Sequence, residues 1–182
     1  MLCQAAEALP KGFRLGVVEG WRPPYIQRRM HMTIVDRIQK EHPEWSQAHV
    51  LRTANRFSAP LNDRVPPPHT TGGAVDVALL DDKLNRVEMM APYARRDRRA
   101  FLSAASGLTE EAERNRIILA EAMSVGGLTN YPSEYWHWSY GDQGWAYRGG
   151  KKNAIYAAIE PPGWTPNERD SIPVPFKYRD ET

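Results

Sequence analysis

Residues 69–80, which read HTTGGAVDVALL, join a polar turn to an apolar run. The run Val75–Leu80 has the length and character of a buried strand, and Gly72-Gly73 permits a sharp bend immediately before it. Asp76 lies inside this run, where burial of an unpaired carboxylate would cost free energy. A cation beside the strand would remove that cost, so the stretch predicts a metal ligand at Asp76.

Two histidines can reach the same cation. The bend at Gly72 would fold His69 back beside Asp76. Tyr135–Tyr140 predicts a second strand, whose alternating side chains place His137 opposite two tryptophans. Either histidine taken alone is more often structural than a metal ligand. If the two strands are neighbours, His69, Asp76 and His137 provide three ligands, which leaves a zinc ion one open position.

Glu134 precedes His137 by three residues and is the candidate base. In a regular strand this spacing would send the two side chains to opposite faces of the sheet. Pro132-Ser133 indicates that the strand has not yet begun, so we predict that Glu134 projects from a loop into the same cavity as His137. The alternative is a solvated loop carboxylate with no catalytic role.

Helix and strand patterns alternate along the rest of the chain. The predicted helices are Leu2–Leu9, Tyr25–Lys40, one that begins at Ser46, and one that Thr109 caps and Gly126-Gly127 ends. The predicted strands are Phe13–Glu19, Val75–Leu80, Arg86–Met90 and Tyr135–Tyr140. This order predicts an α+β fold with a central, mainly antiparallel sheet, flanking helices and the zinc site at the sheet.

Length and composition fit one globular domain. The 182 residues include 41% hydrophobic and 25% charged residues, the proportions of a folded domain rather than of a disordered chain. We predict a single domain over residues 1–182, with a core at about 1–147 and a proline-rich tail, 148–182, packed on its surface. Cys3 is the only cysteine, which excludes an intramolecular disulfide and a cysteine-based zinc finger.

Charge and hydropathy restrict the partners of the chain. The net charge is only +2, and Asp97 interrupts the arginine cluster at 95–99, so nucleic acid is not an expected partner. No apolar run approaches the roughly 20 residues that cross a bilayer, and the N-terminus lacks a signal-peptide pattern. We therefore expect no membrane partner and a cytoplasmic location, or a periplasmic one if an N-terminal segment is missing. The sequence leaves the oligomeric state open.

Together these motifs resemble those of the zinc D-alanyl-D-alanine dipeptidases, the VanX-like metallopeptidases, up to about residue 145. The shared pattern is a histidine followed seven residues later by an aspartate, a glutamate followed three residues later by a histidine, and an Arg-Pro pair after the first strand. The resemblance implies one Zn2+ per chain, held by His69, Asp76 and His137. It also implies that Glu134 is the general base and that Arg22 stabilises the transition state.

The implied substrate is a small D-amino-acid peptide, D-Ala-D-Ala first, which a metal-activated water would hydrolyse. Two alternatives stay open: a D,D- or L,D-carboxypeptidase that acts on longer cell-wall peptides, and a zinc-containing binding module without catalysis. For Arg22 the alternative is a surface ion pair. Pro66–Pro68 stands where the family usually has a serine, and Met89–Arg95 replaces its usual Met-Gly-Thr segment, so the exact dipeptide is left open.

Overall fold

A computed structural model describes residues 1–62, 64–94 and 97–165 of the chain. Within these residues the fold is one domain with five α-helices and one four-stranded antiparallel sheet. The helices are α1 (Leu2–Ala8), α2 (Pro24–Glu41), α3 (Gln47–Ala54), α4 (Glu110–Val125) and α5 (Gln143–Arg148). The strands are β1 (Phe13–Glu19), β2 (Ala74–Asp81), β3 (Thr129–Tyr131) and β4 (Glu134–Ser139). The predicted α+β class, with helices around an antiparallel sheet, is confirmed.

The strand β2 lies inside the sheet, whose order is β1-β2-β4-β3. Its apolar side chains explain that position, since Val75, Val77 and Leu79 are 7%, 2% and 1% exposed. They belong to the main hydrophobic core together with Leu119 and Met123 of α4. A strand buried in this way needs backbone partners on both edges, and β1 and β4 provide them.

The helices α2 and α3 enclose a second, smaller hydrophobic cluster. Ile34 and Ile38 lie four residues apart on one face of α2, and they pack with Val50 and Ala54 of α3. This cluster is separate from the main core beneath the sheet.

Among the described residues, no helix is both long enough and apolar enough to cross a membrane.

The predicted strand Arg86–Met90 is wrong. Arg86 makes a single bridge to Leu80, and the chain then leaves the sheet. The reason is a local hydrogen-bond pattern, in which the carboxylate of Glu88 accepts the backbone N–H groups of Met90 (2.6 Å) and Ala91 (2.8 Å).

The predicted tail is described only as far as residue 165, and its part at 166–182 lies outside the described residues.

The start of α4 gives a test of the predicted helix cap. The Thr109 hydroxyl accepts the backbone N–H of Ala112 at 3.3 Å. We expect Thr109→Ala to lower the free energy of unfolding by about 1 kcal/mol, because α4 would lose its N-cap. Thr109→Ser keeps the hydroxyl and is the control. Denaturant unfolding followed by circular dichroism measures both variants, and an equal loss in both would contradict the capping role.

Candidate metal centre

The pairing of β2 with β4 places two predicted ligands side by side. Asp76 lies directly opposite His137 in the antiparallel register, so the two side chains project from the same face of the sheet. Nδ1 of His137 lies 3.0 Å from Oδ1 of Asp76. Strand register thus joins two residues that are 61 positions apart in the sequence.

His69 reaches the same place from a short 3-10 helix, Pro68–Thr71, that precedes β2. Gly72 follows this helix in the left-handed conformation, with φ at 70°, which favours glycine. Nε2 of His69 lies 3.1 Å from Nδ1 of His137 and 3.3 Å from Oδ1 of Asp76. The structure therefore brings the three predicted ligands together, with their donor atoms all within 4.8 Å of one another.

Neighbouring oxygen atoms orient both imidazole rings. Nδ1 of His69 lies 2.9 Å from the carbonyl oxygen of Gly20. Because a carbonyl can only accept, Nδ1 carries a hydrogen, and Nε2 is the nitrogen that can bind a metal once it has released its own proton. On His137, Nε2 lies 3.4 Å from the Ser139 hydroxyl. A hydrogen on that Nε2 leaves the lone pair of Nδ1 directed at the cluster.

Burial and charge couple the three side chains. Both imidazoles are only 6% exposed. Burial would raise the pKa of Asp76, but the hydrogen bonds with His137 and His69 outweigh it and lower the pKa to about 2. Burial would also lower the pKa of His69, but the hydrogen bond and the charge of Asp76 outweigh it, and the pKa is raised. Two imidazole nitrogens and one carboxylate oxygen suit a catalytic zinc ion, so this donor set fits the implied metal.

The predicted loop position of Glu134 is wrong, because this residue is the first of β4. Tyr131 pairs with Glu134, whereas Asn130 pairs with Trp138, so the register of β3 against β4 is irregular between these pairs. The irregularity interrupts the alternation of side chains between the two faces of the sheet along β4. Two residues three positions apart, such as Glu134 and His137, then need not project from opposite faces. Burial raises the pKa of Glu134, and the charges of the three clustered side chains and of Arg22 also act on it. The Glu134 carboxyl group therefore lies near enough to the cluster for their charges to act on one another.

Asn130 holds this irregular part of β4 through its side chain. Its amide nitrogen donates to the carbonyl oxygens of Glu134 (3.1 Å), Tyr135 (3.3 Å) and His137 (3.0 Å). Its amide oxygen accepts the hydroxyl of Ser103. One side chain thus supports the backbone at both the candidate base and a candidate ligand. No sequence signal marks this role, because an asparagine two residues before a proline is typical of an ordinary turn.

Arg22 follows β1 and lies beside the metal cluster. Its backbone N–H donates to the carbonyl oxygen of His69 at 3.0 Å. Its guanidinium donates from Nε to Glu19 (2.7 Å) and from Nη1 to Gln27 (2.6 Å). The Arg22 side chain is 13% exposed and that of Glu19 is 35% exposed, so the ion pair between them is partly buried.

The other histidines lie away from the cluster. Nδ1 of His31 lies 3.0 Å from the carbonyl oxygen of Ser58, where the imidazole joins α2 to the segment that follows α3. His42 and His49 both stack on Trp45, with ring centroids 3.8 Å and 4.0 Å apart. In the described part of the chain, the group of histidine and acidic side chains that could hold a metal is His69, Asp76 and His137.

Comparison with known proteins identifies relatives of this chain. A family model described as D-Ala-D-Ala dipeptidase matches residues 1–155. A curated protein named D-alanyl-D-alanine dipeptidase, from the cyanobacterium Synechocystis sp., is 32% identical over 116 residues. That alignment covers 54% of this chain and 44% of the relative, so the chain spans less than half of the relative's length.

The geometry predicts that Asp76 is essential for metal affinity. We expect Asp76→Ala to weaken zinc binding by more than about 10-fold, because even loss of a residue that only supports a metal ligand costs about 10- to 100-fold. Asp82→Ala, which alters an exposed carboxylate just beyond β2, is the matched control. Competition with a chromogenic chelator measures both dissociation constants. Equal zinc affinities for the two variants would rule out Asp76 as a ligand.

Proposed function

This chain belongs to the D-Ala-D-Ala dipeptidase family, and from that premise we propose that it is a zinc peptidase that hydrolyses short D-amino-acid peptides, D-Ala-D-Ala first among them. The observation that carries the proposal is the convergence of His69, Asp76 and His137 with Glu134 beside them. The name of the Synechocystis relative supports the choice of dipeptide. The proposal covers the activity, the metal and the roles of the individual residues.

The three clustered side chains would hold one zinc ion. Imidazole nitrogens favour zinc over magnesium or calcium, which prefer oxygen ligands. The contacts of His69 with Gly20 and of His137 with Ser139 support this assignment, since the Gly20 carbonyl and the Ser139 hydroxyl can each accept a hydrogen from the nitrogen that faces away from the cluster. When bound, zinc would lower the pKa of a water molecule to roughly 7 and polarise the peptide carbonyl.

Glu134 would act as the general base. Its carboxylate lies beside the ligands, where it can accept a proton from the water whose oxygen bonds to the peptide carbonyl carbon. The same carboxyl group can then give the proton to the leaving amine as the C–N bond breaks. The burial that raises the pKa of Glu134 favours the first transfer, because it makes the carboxylate a stronger base toward the water.

Arg22 would stabilise the negative charge that develops on the carbonyl oxygen. A guanidinium stays charged at any ordinary pH and presents N–H donors in a fixed plane, both of which suit an oxyanion. Glu19 and Gln27 orient the guanidinium because they accept its hydrogen bonds. The backbone hydrogen bond from Arg22 to His69 keeps Arg22 close to the metal ligands. Preorganisation of this kind lowers the cost of stabilising the transition state.

The role of Glu134 can be tested by an isosteric change. We expect Glu134→Gln to lower kcat by about 100- to 10,000-fold, because an amide cannot accept the proton of the attacking water. Zinc content should stay at the wild-type level, since Glu134 is outside the proposed ligand set. Glu121→Gln, on the exposed side of α4, is the control. Wild-type turnover by Glu134→Gln would refute the base assignment.

The substrate class can be tested with a blocked peptide. A dipeptidase recognises the free amine next to the scissile bond, so we expect N-acetyl-D-Ala-D-Ala to be hydrolysed at least about 10-fold less efficiently than D-Ala-D-Ala, measured as kcat/KM. L-Ala-L-Ala is the control for stereochemistry. Equal efficiency for the free and acetylated peptides would indicate a carboxypeptidase. Stoichiometric zinc without turnover of any peptide would indicate a binding module.

A further inference from the structure

We propose that residues 155–164, which we name the strap, fix the position of Arg22 relative to the metal ligands. The strap follows α5, and the family match ends where the strap begins, at residue 155. The inference rests on the proposed function, because it assigns the strap a purpose only if Arg22 and His69 act in the same reaction.

One residue of the strap bridges the two loops that carry these side chains. The backbone N–H of Ile159 donates to the carbonyl oxygen of Thr70 at 3.0 Å. The carbonyl oxygen of Ile159 accepts the indole N–H of Trp21, also at 3.0 Å. Thr70 directly follows His69, and Trp21 directly precedes Arg22. Each bond of Ile159 therefore ends one residue away from a proposed functional side chain.

The strap is anchored on both sides of this bridge. At its start, the backbone N–H groups of Ile155 and Tyr156 both donate to the carbonyl oxygen of Gly141, at 2.7 Å and 3.0 Å. At its end, Trp164 packs edge-on against Trp21, with ring centroids 5.0 Å apart. Trp164 also stacks on Tyr25 at 5.6 Å. Because both ends are held, Ile159 is kept in contact with both loops.

Glycines beneath the strap make room for its side chains. A Cβ atom on Gly141 would overlap the ring of Tyr156. A Cβ atom on Gly73 would lie 3.1 Å from Cδ2 of the same ring. Gly73 follows the turn that carries His69, so the strap packs directly on backbone next to a proposed ligand. A side chain at Gly141 would have to displace the Tyr156 ring, whereas one at Gly73 would first meet the carbonyl oxygen of Tyr140 at 2.7 Å.

The exposure of the strap argues for a positioning role rather than a core role. Tyr156 and Ile159 are 42% and 48% exposed, so the strap buries little apolar surface of its own. Its polar contacts go to Gly141 and to the two loops of the site. Displacement of a catalytic group by about 1 Å can cost roughly 100-fold in rate, so even a weak strap can matter for Arg22.

The test changes the anchors of the strap in the full-length protein. Trp164→Ala removes the ring that packs on Trp21, and Trp164→Phe restores an aromatic ring. Trp21→Phe removes the indole N–H that bonds to Ile159 and keeps one aromatic ring toward Trp164. Glu160→Ala, which alters an exposed side chain inside the strap, is the matched control.

Two readouts separate positioning from general stability. We expect Trp164→Ala and Trp21→Phe to lower kcat on D-Ala-D-Ala by about 10-fold or more, with KM changed much less, and Trp164→Phe to recover most of the loss. Independently of activity, the Arg22 amide, which is bonded to His69, should exchange its hydrogen roughly 5-fold faster in both variants. Exchange in α4 should be unchanged.

The outcomes show separately whether the proposal about the strap fails or the proposed function fails. Wild-type kcat and wild-type exchange at Arg22 in both anchor variants would overturn the strap while leaving the peptidase proposal intact. Equally faster exchange in α4 would also overturn it, because the effect would then be general destabilisation. If the unaltered protein fails to hydrolyse D-Ala-D-Ala, the function proposal fails, and the exchange measurement still decides whether the strap holds the Arg22 loop.

Discussion

The site depends on one register, the pairing of Asp76 with His137 across β2 and β4. Because β2 is an interior strand with buried apolar side chains, its alignment against β4 is fixed by the core rather than by the polar residues. A slip of one residue would turn Asp76 to the opposite face of the sheet. The hydrophobic packing of Val75, Val77 and Leu79 is therefore what places the carboxylate next to the imidazole.

Around this pair, a set of supporting contacts orients each functional group. Carbonyl and hydroxyl oxygens fix the two imidazole rings, the side chain of Asn130 holds the start of β4, and Glu19 and Gln27 hold Arg22. These supports come from four different segments of the chain: the end of β1, α2, β3 and β4. Such preorganisation is what allows a charged group to stabilise a transition state without first rearranging.

Much of the site could be predicted from the sequence because two of the three clustered side chains lie in strands with clear patterns. An aspartate within the apolar run of β2 and a histidine among the tryptophans of β4 are conspicuous at a period of two. The position of Glu134 could not be predicted, since it depends on an irregular pairing of β3 with β4. The predicted strand Arg86–Met90 does not form because the Glu88 carboxylate accepts backbone N–H groups of its own segment. Hydrophobic periodicity does not reveal this local hydrogen-bond pattern. Glu19, Gln27 and Asn130 act through contacts that only the folded chain defines.

The molecule has two separate hydrophobic clusters, and this affects which part of the site is lost first when the fold opens locally. Gln27, which holds Arg22, lies on α2 and is itself held by the hydroxyl of Ser58 and the carbonyl oxygen of Ala59, just after α3. This helical pair has its own small cluster, whereas the metal ligands belong to the sheet and its larger core. Small clusters open at a lower free energy than the main core of a domain. If the chain binds zinc as proposed, molecules in which the helical pair has opened would keep the ion but lose the Gln27 contact of Arg22, so the amount of bound metal would exceed the amount of protein with a fully held Arg22.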